Sequence, residues 1–151
     1  MAESGNKKFS ILLWIGILLF AVFYPMLISI YVFLPLFIAA MSYLLIQGLE
    51  QGRYSYIFIA MIYLINLEVN LSLPLFFTLI SALIFYVSIY PSLLHFRKCK
   101  LCKAFISVLI LDLSYLGILF AYDFIFNVNS IELDMILLYS LVVDMLLVVL
   151  L

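Results

Sequence analysis

Long apolar runs alternate with short polar interruptions along this chain, and the interruptions mark out the elements. No charged residue occurs from Phe9 to Leu49. A helix needs about 20 residues to cross the hydrocarbon core of a bilayer, so this run holds two spans. Pro25 and Pro35 mark the break between them, because proline ends a helix or opens one at its first turn. The first span is therefore predicted over residues 9–24 and the second over 35–47. Their connector carries Tyr24, Ser29 and Tyr31, and tyrosines favour the membrane interface. The segment from Gln47 to Arg53 contains Gly48 and Gly52, whose permissive backbone suits a tight turn. A third span follows over 54–68, closed by the polar group Asn66, Glu68, Asn70 and Ser72. Pro74 opens the fourth, 74–95, so the two make a short hairpin. After the polar stretch from His95 to Lys103 a fifth span covers 104–126, residues 127–130 turn, and a sixth runs over 131–151. Periodicity adds nothing, since helices this apolar have little amphipathic moment.

Composition supports the bilayer as solvent. Of the 151 residues 70% are hydrophobic and 10% charged, against about half and a quarter in soluble domains. A water-soluble protein of this size has no means of hiding so much apolar surface. No polar stretch is long enough for a second domain, so residues 1–151 form one. Lys7 and Lys8 before an apolar run resemble a signal peptide. The segment Ala21-Val22-Phe23-Tyr24-Pro25, however, lacks a small-x-small cleavage site, and the run is read as a retained helix.

Charge placement then orients the spans. Lys7 and Lys8 precede the first, Arg53 lies between the second and third, and Arg97, Lys98, Lys100 and Lys103 lie between the fourth and fifth. With six spans all three places share one side, which the positive-inside rule makes cytoplasmic. The other connectors carry Glu68, Asp123, Glu132 and Asp134 near the span ends, and no Lys or Arg. The expected fold is all-α: a polytopic, compact bundle of about six transmembrane helices with both termini cytoplasmic.

Two acidic residues interrupt apolar runs, Asp112 and Asp144. A carboxylate deep in a bilayer costs several kcal/mol and usually faces a bundle interior, a water cavity or a partner. At about 1.5 Å per residue, Asp112 lies about 12 Å beyond Ala104 and Asp144 about 10 Å from Leu151. Both therefore belong to the inner half and meet if their helices pack. The expectation is that one or both are protonated or contact polar groups of a partner helix. A hydrogen-bonded structural pair is the plainer alternative, and a proton pathway lacks a relay or a broken helix to support it.

Cys99 and Cys102 form a C-x-x-C beside Lys98, Lys100 and Lys103, and nearby cations make a thiol more reactive. A thiol-redox function is one reading. Yet the loop is cytoplasmic by its charge, where thiols stay reduced, and no second pair exists to relay electrons. His95 with the two cysteines gives three soft ligands, one short of a zinc site. The basic loop Arg97, Lys98, Lys100 and Lys103 reads instead as facing anionic lipid. No phosphate loop, zinc-protease or serine-nucleophile motif appears, so neither catalytic residues nor a metal nor a cofactor is expected.

From the second to the fourth span the chain resembles the MreD family, the membrane subunit of the bacterial cell-elongation machinery. Members typically carry a proline opening helix 2, an aromatic eight or nine residues later, a glycine-bearing turn, and an acid ending helix 3. A proline position follows six residues on. Here these are Pro35, Tyr43, Gly48 with Gly52, Glu68, and Pro74-Leu75. Phe76 stands where glycine is usual, Glu68 where aspartate is usual, and Ala60-Met61-Ile62-Tyr63 where the approach to the acid is glycine-rich. The resemblance implies a non-enzymatic scaffold or regulatory subunit of lateral wall elongation, multi-pass in a bacterial inner membrane. Its partners would be the bilayer, an MreC-like scaffold and wall-synthesis enzymes, with no nucleic acid. On that reading Glu68, Asn70 and Ser72, with Asp112 and Asp144, make partner or intrabundle contacts. The plainer role for the first three is a helix cap with interfacial solvation. The alternative function is a small-molecule-binding transporter subunit, similar to the six-helix vitamin-capture components.

Overall fold

Seven helices account for most of the described chain: α1 (Ala2–Ile30), α2 (Ile38–Gln51), α3 (Tyr54–Asn70), α4 (Phe77–Ser88), α5 (Tyr90–Leu93), α6 (Lys100–Phe126) and α7 (Met135–Leu150). The computed structural model describes residues 2–31, 33–95, 99–128 and 135–150, with the backbone alone for 2–9 and 135–137. No strand occurs among the described residues. Two stretches, Ser10–Ile30 and Lys100–Phe126, are long and apolar enough to cross a membrane.

Several boundaries differ from expectation, each for a local reason. The first helix does not stop at Tyr24; it continues through Pro25 to Ile30. Proline removes a helical donor and loosens the carbonyls of the preceding turn, and a neighbouring helix can satisfy them. Here Asn66 Nδ2 of α3 donates to the Val22 carbonyl at 2.6 Å. The predicted turn at 47–53 shrinks, because α2 runs on to Gln51 and only Gly52 adopts a left-handed φ, 64°. Gly48 instead lies within α2, where a Cβ would sit 2.8 Å from Ile57 Cγ1 and 3.1 Å from Ile57 N. Its role is close approach of α2 and α3. The predicted fourth span divides at Ile89 into α4 and α5, since Pro91 at the start of α5 has no N–H for the preceding turn. The predicted sixth span is described from Met135; residues 131–134, with Glu132 and Asp134, lie outside the described residues.

α2 is the central element, packed against α3, α4, α6 and α7. Its small residues Ala39, Ala40 and Ser42 are buried, and such residues let helix backbones approach closely. α4 and α7 both pack on α6, while α1 lies against α3. The ends of α2, α5 and α6 are tied together by Glu50, Tyr90 and Lys103. Lys103 Nζ lies 2.9 Å from the Tyr90 hydroxyl, to which it donates, and 3.8 Å from Glu50 Oε1. The Tyr90 hydroxyl in turn donates to Glu50 Oε2. Those elements therefore share one end of the bundle.

Candidate functional site

α2 and α4 start in the same unusual way. Neither has a Ser, Thr, Asp or Asn before its first turn, the residues that normally accept from orphan N–H groups. Each is preceded by a phenylalanine in the left-handed region, Phe37 with φ 51° and Phe76 with φ 68°. Each N-terminus is instead capped by a buried carboxylate from another helix. At α4, Glu68 of α3 accepts from Phe76 N at 2.6 Å, Thr78 N at 2.8 Å and the Thr78 hydroxyl at 2.8 Å. At α2, Asp144 Oδ2 of α7 accepts from Ala39 N at 3.0 Å. Glu68 and Asp144 are both 0% exposed. The positive end of each helix dipole favours the negative charge placed there.

The lead-in to α2 is held by side chains. Pro35 O accepts from the Tyr24 hydroxyl at 3.0 Å, and Leu36 O from the Tyr63 hydroxyl at 2.9 Å. Leu36 N donates to Ser140 Oγ of α7 at 2.9 Å. Three other helices thus converge on one helix start: α1 through Tyr24, α3 through Tyr63, and α7 through Ser140 and Asp144. Sequence reading by charge and span length overlooks this cradle. Its signal is a repeated Leu-Pro-Leu-Phe, at residues 34–37 and 73–76, with Ala39 and Thr78 in equivalent positions.

The other singled-out residues divide. Asn70 Nδ2 donates to Asn66 Oδ1 at 2.8 Å and Asn66 O at 2.7 Å, which orients the amide that reaches Val22. Ser72 has φ 54° and reverses the chain after α3, with its N–H on Val69 O. Asp112 lies on α6, which packs against α7, the helix that carries Asp144. Asp112 Oδ2, Tyr115 Oη and Asp144 Oδ1 are the buried side-chain atoms without a hydrogen-bond partner among the described residues.

At the opposite end two expectations change. Lys103 does not join a lipid-facing loop; its Nζ lies over Tyr90, 4.5 Å from the ring centroid, where Glu50 of α2 draws the ammonium inward. Lys100 is exposed, and Arg97 and Lys98 lie outside the described residues. Cys99 and Cys102 are joined in a disulfide rather than reduced, with Cα atoms 5.3 Å apart. Cys99 is extended at the N-cap of α6 and its Sγ accepts from Cys102 N, which brings the two residues within bridging range.

An apolar cavity of about 570 Å³ lies between α1, α2, α3 and α7, lined by Trp14, Phe20, Met41, Leu44, Tyr56 and Leu147 among others. No group of three metal-ligating side chains occurs among the described residues. The chain matches no protein-family model, no curated protein and no solved structure.

Proposed function

We propose that the chain is a six-span, non-enzymatic scaffold subunit of a bacterial inner membrane, working through helix contacts with partners of the cell-elongation type. The supporting observation is the cradle around the start of α2. With 14 and 12 residues, α2 and α4 are about 21 Å and 18 Å long, short of the roughly 30 Å hydrocarbon core. Non-helical backbone is tolerated at membrane depth only where protein groups satisfy it. The lead-in through Pro35 and Leu36 meets that demand with two tyrosine hydroxyls, a serine and a carboxylate. Short helices with satisfied lead-ins make spans out of segments that helix length alone does not count.

The residues behind the MreD resemblance also have concrete work in this packing. Pro35 and Pro74 sit in the two equivalent lead-ins, Gly48 admits α3, Gly52 reverses the chain, and Glu68 holds α4. Much of α1 presents large apolar side chains outward, including Ile11, Leu12, Ile15 and Phe23. These suit lipid or partner helices. Depletion in rod-shaped cells is expected to give rounded cells, and an MreC-like scaffold is expected to co-purify. Normal shape together with loss of uptake of a small molecule rejects the reading. That outcome favours the transporter-subunit alternative, which the apolar cavity supports, since its volume lies in the range of ligand pockets.

A further inference from the structure

We propose that two apolar grooves flanking the seam between α1 and α3 take the two acyl chains of an anionic phospholipid whose phosphate is held by Arg53. The space for them follows from the way α1 packs. Every residue from Ser10 to Phe20 is exposed, whereas Ala21, Pro25 and Ile28 are buried. The second half of α1 is thus seated on the bundle and the first half stands off it. The apolar cavity occupies the gap toward α2 and α7. A second groove, also of about 570 Å³, lies between α1 and α3, where Ser55 and Phe58 line it. Trp14 and Ile59 line both. Leu13 and Ile17 belong to the first groove and Ile11 and Ile15 to the second, so Trp14 stands on the seam between two neighbouring slots.

Both slots come up to the same charge. Tyr56, in the lining of the first, accepts from Arg53 Nη1 at 3.1 Å, and the guanidinium carbon lies 5.5 Å from its ring centroid. Ser55, in the lining of the second, adjoins Tyr56 on the first turn of α3. Arg53 is exposed, and Glu50, the acid nearest to it in sequence, is taken by Tyr90 and Lys103. The remaining guanidinium donors are therefore available to an anion, and arginine suits phosphate through paired N–H bonds.

The chemistry of the lining selects the occupant. Trp14 and Tyr56, with ring centroids 6.3 Å apart, mark the interfacial end. From there the cavity follows α2 from Leu44 back to Phe37, about 10 Å, past apolar side chains alone. A water-soluble ligand asks for polar groups converging inside its pocket, and here they stand only at the mouth. A hydrocarbon chain below a phosphate matches that division, and two slots beside one arginine match a lipid with two chains. On the six-span reading Arg53 faces the cytoplasm, where the leaflet surface is anionic. The inference rests on the membrane-spanning reading and not on the elongation role.

Trp14 is the single tryptophan of the chain, so its fluorescence reports on the seam. The test reconstitutes the full chain in vesicles of equal parts phosphatidylcholine and phosphatidylglycerol, with bromine on the acyl chains of one lipid or the other. Brominated phosphatidylglycerol is expected to quench Trp14 as though enriched about fivefold over phosphatidylcholine. Arg53→Gln is expected to remove that preference and Arg53→Lys to keep most of it. Equal quenching by the two lipids in the wild type, or a preference that survives Arg53→Gln, overturns the proposal. So does a preference lost to inorganic phosphate but kept in sodium chloride of equal ionic strength, which would make the ligand a free anion. In a Trp14→Phe background, Met41→Trp reads the cavity alone, and the same preference is expected there; its absence would leave the lipid on the surface and reject a seated chain. Quenching by neither lipid also overturns the site, and if the protein fails to sediment with the vesicles the membrane-spanning reading falls with it.

Discussion

Glu68 is fully buried and accepts from three donors, two of which are the orphan N–H groups of a helix start. Truncation to alanine leaves buried donors unmade, which is costlier than losing a solvated cap. Glu68→Ala is expected to destabilise the protein by about 2–4 kcal/mol, combining cap loss with unsatisfied donors. Glu68→Gln keeps one accepting oxygen and should lose roughly half of that. Reversible unfolding in mixed micelles measures both, and equal stability of Glu68→Ala and wild type would show that the cap contributes nothing. The residue itself was legible in the sequence, because an acid at the end of an apolar run is conspicuous. Its partners were only half legible. Phe76 and Thr78 are near in sequence, yet phenylalanine is a poor candidate for φ near 68°, so the αL turn that points their N–H groups back at Glu68 shows in the sequence only through the repeated Leu-Pro-Leu-Phe.

At the scale of elements, the contact between α2 and α3 depends on the missing side chain of Gly48. A methyl group there meets Ile57 Cγ1 at 2.8 Å and Ile57 N at 3.1 Å, so side-chain rotation relieves one clash and leaves the other. Gly48→Ala gains up to about 1 kcal/mol of helix propensity but is expected to lose about 1–3 kcal/mol to overpacking. The net effect is destabilisation, and a raised melting temperature would mean that α3 moves aside freely. Helix ends were the least legible elements. Pro25 reads as a stop from local chemistry, but Asn66 reaches the neighbouring carbonyl from 44 residues away and α1 continues. Pro91 acts as its chemistry suggests and divides α4 from α5.

For the whole molecule, the six-span reading makes a labelling prediction. In a Cys99→Ser, Cys102→Ser background, Asn127→Cys is expected to react with an impermeant thiol reagent on intact cells, and Arg53→Cys only after permeabilisation. Labelling of both from outside would break the topology. The link between Glu50, Tyr90 and Lys103 holds the ends of α2, α5 and α6 together.

From its sequence alone the chain is committed to apolar helices: 70% hydrophobic residues, with charge confined to a few interruptions, give their rough positions, while the count of seven rather than six comes from the break before Pro91. The conspicuous acids Glu68, Asp112 and Asp144 were evident for the same reason, since charge in an apolar run stands out against any background. What those acids touch is a tertiary matter. Asp144 meets Ala39 across 105 residues, and Ser140 meets Leu36 across 104. Hydrophobic pattern carries no address for such contacts, because every face of these helices is apolar and many pairings bury equal area. Only packing all the helices around α2 decides which buried donor finds which acceptor, and hence which acid caps a helix.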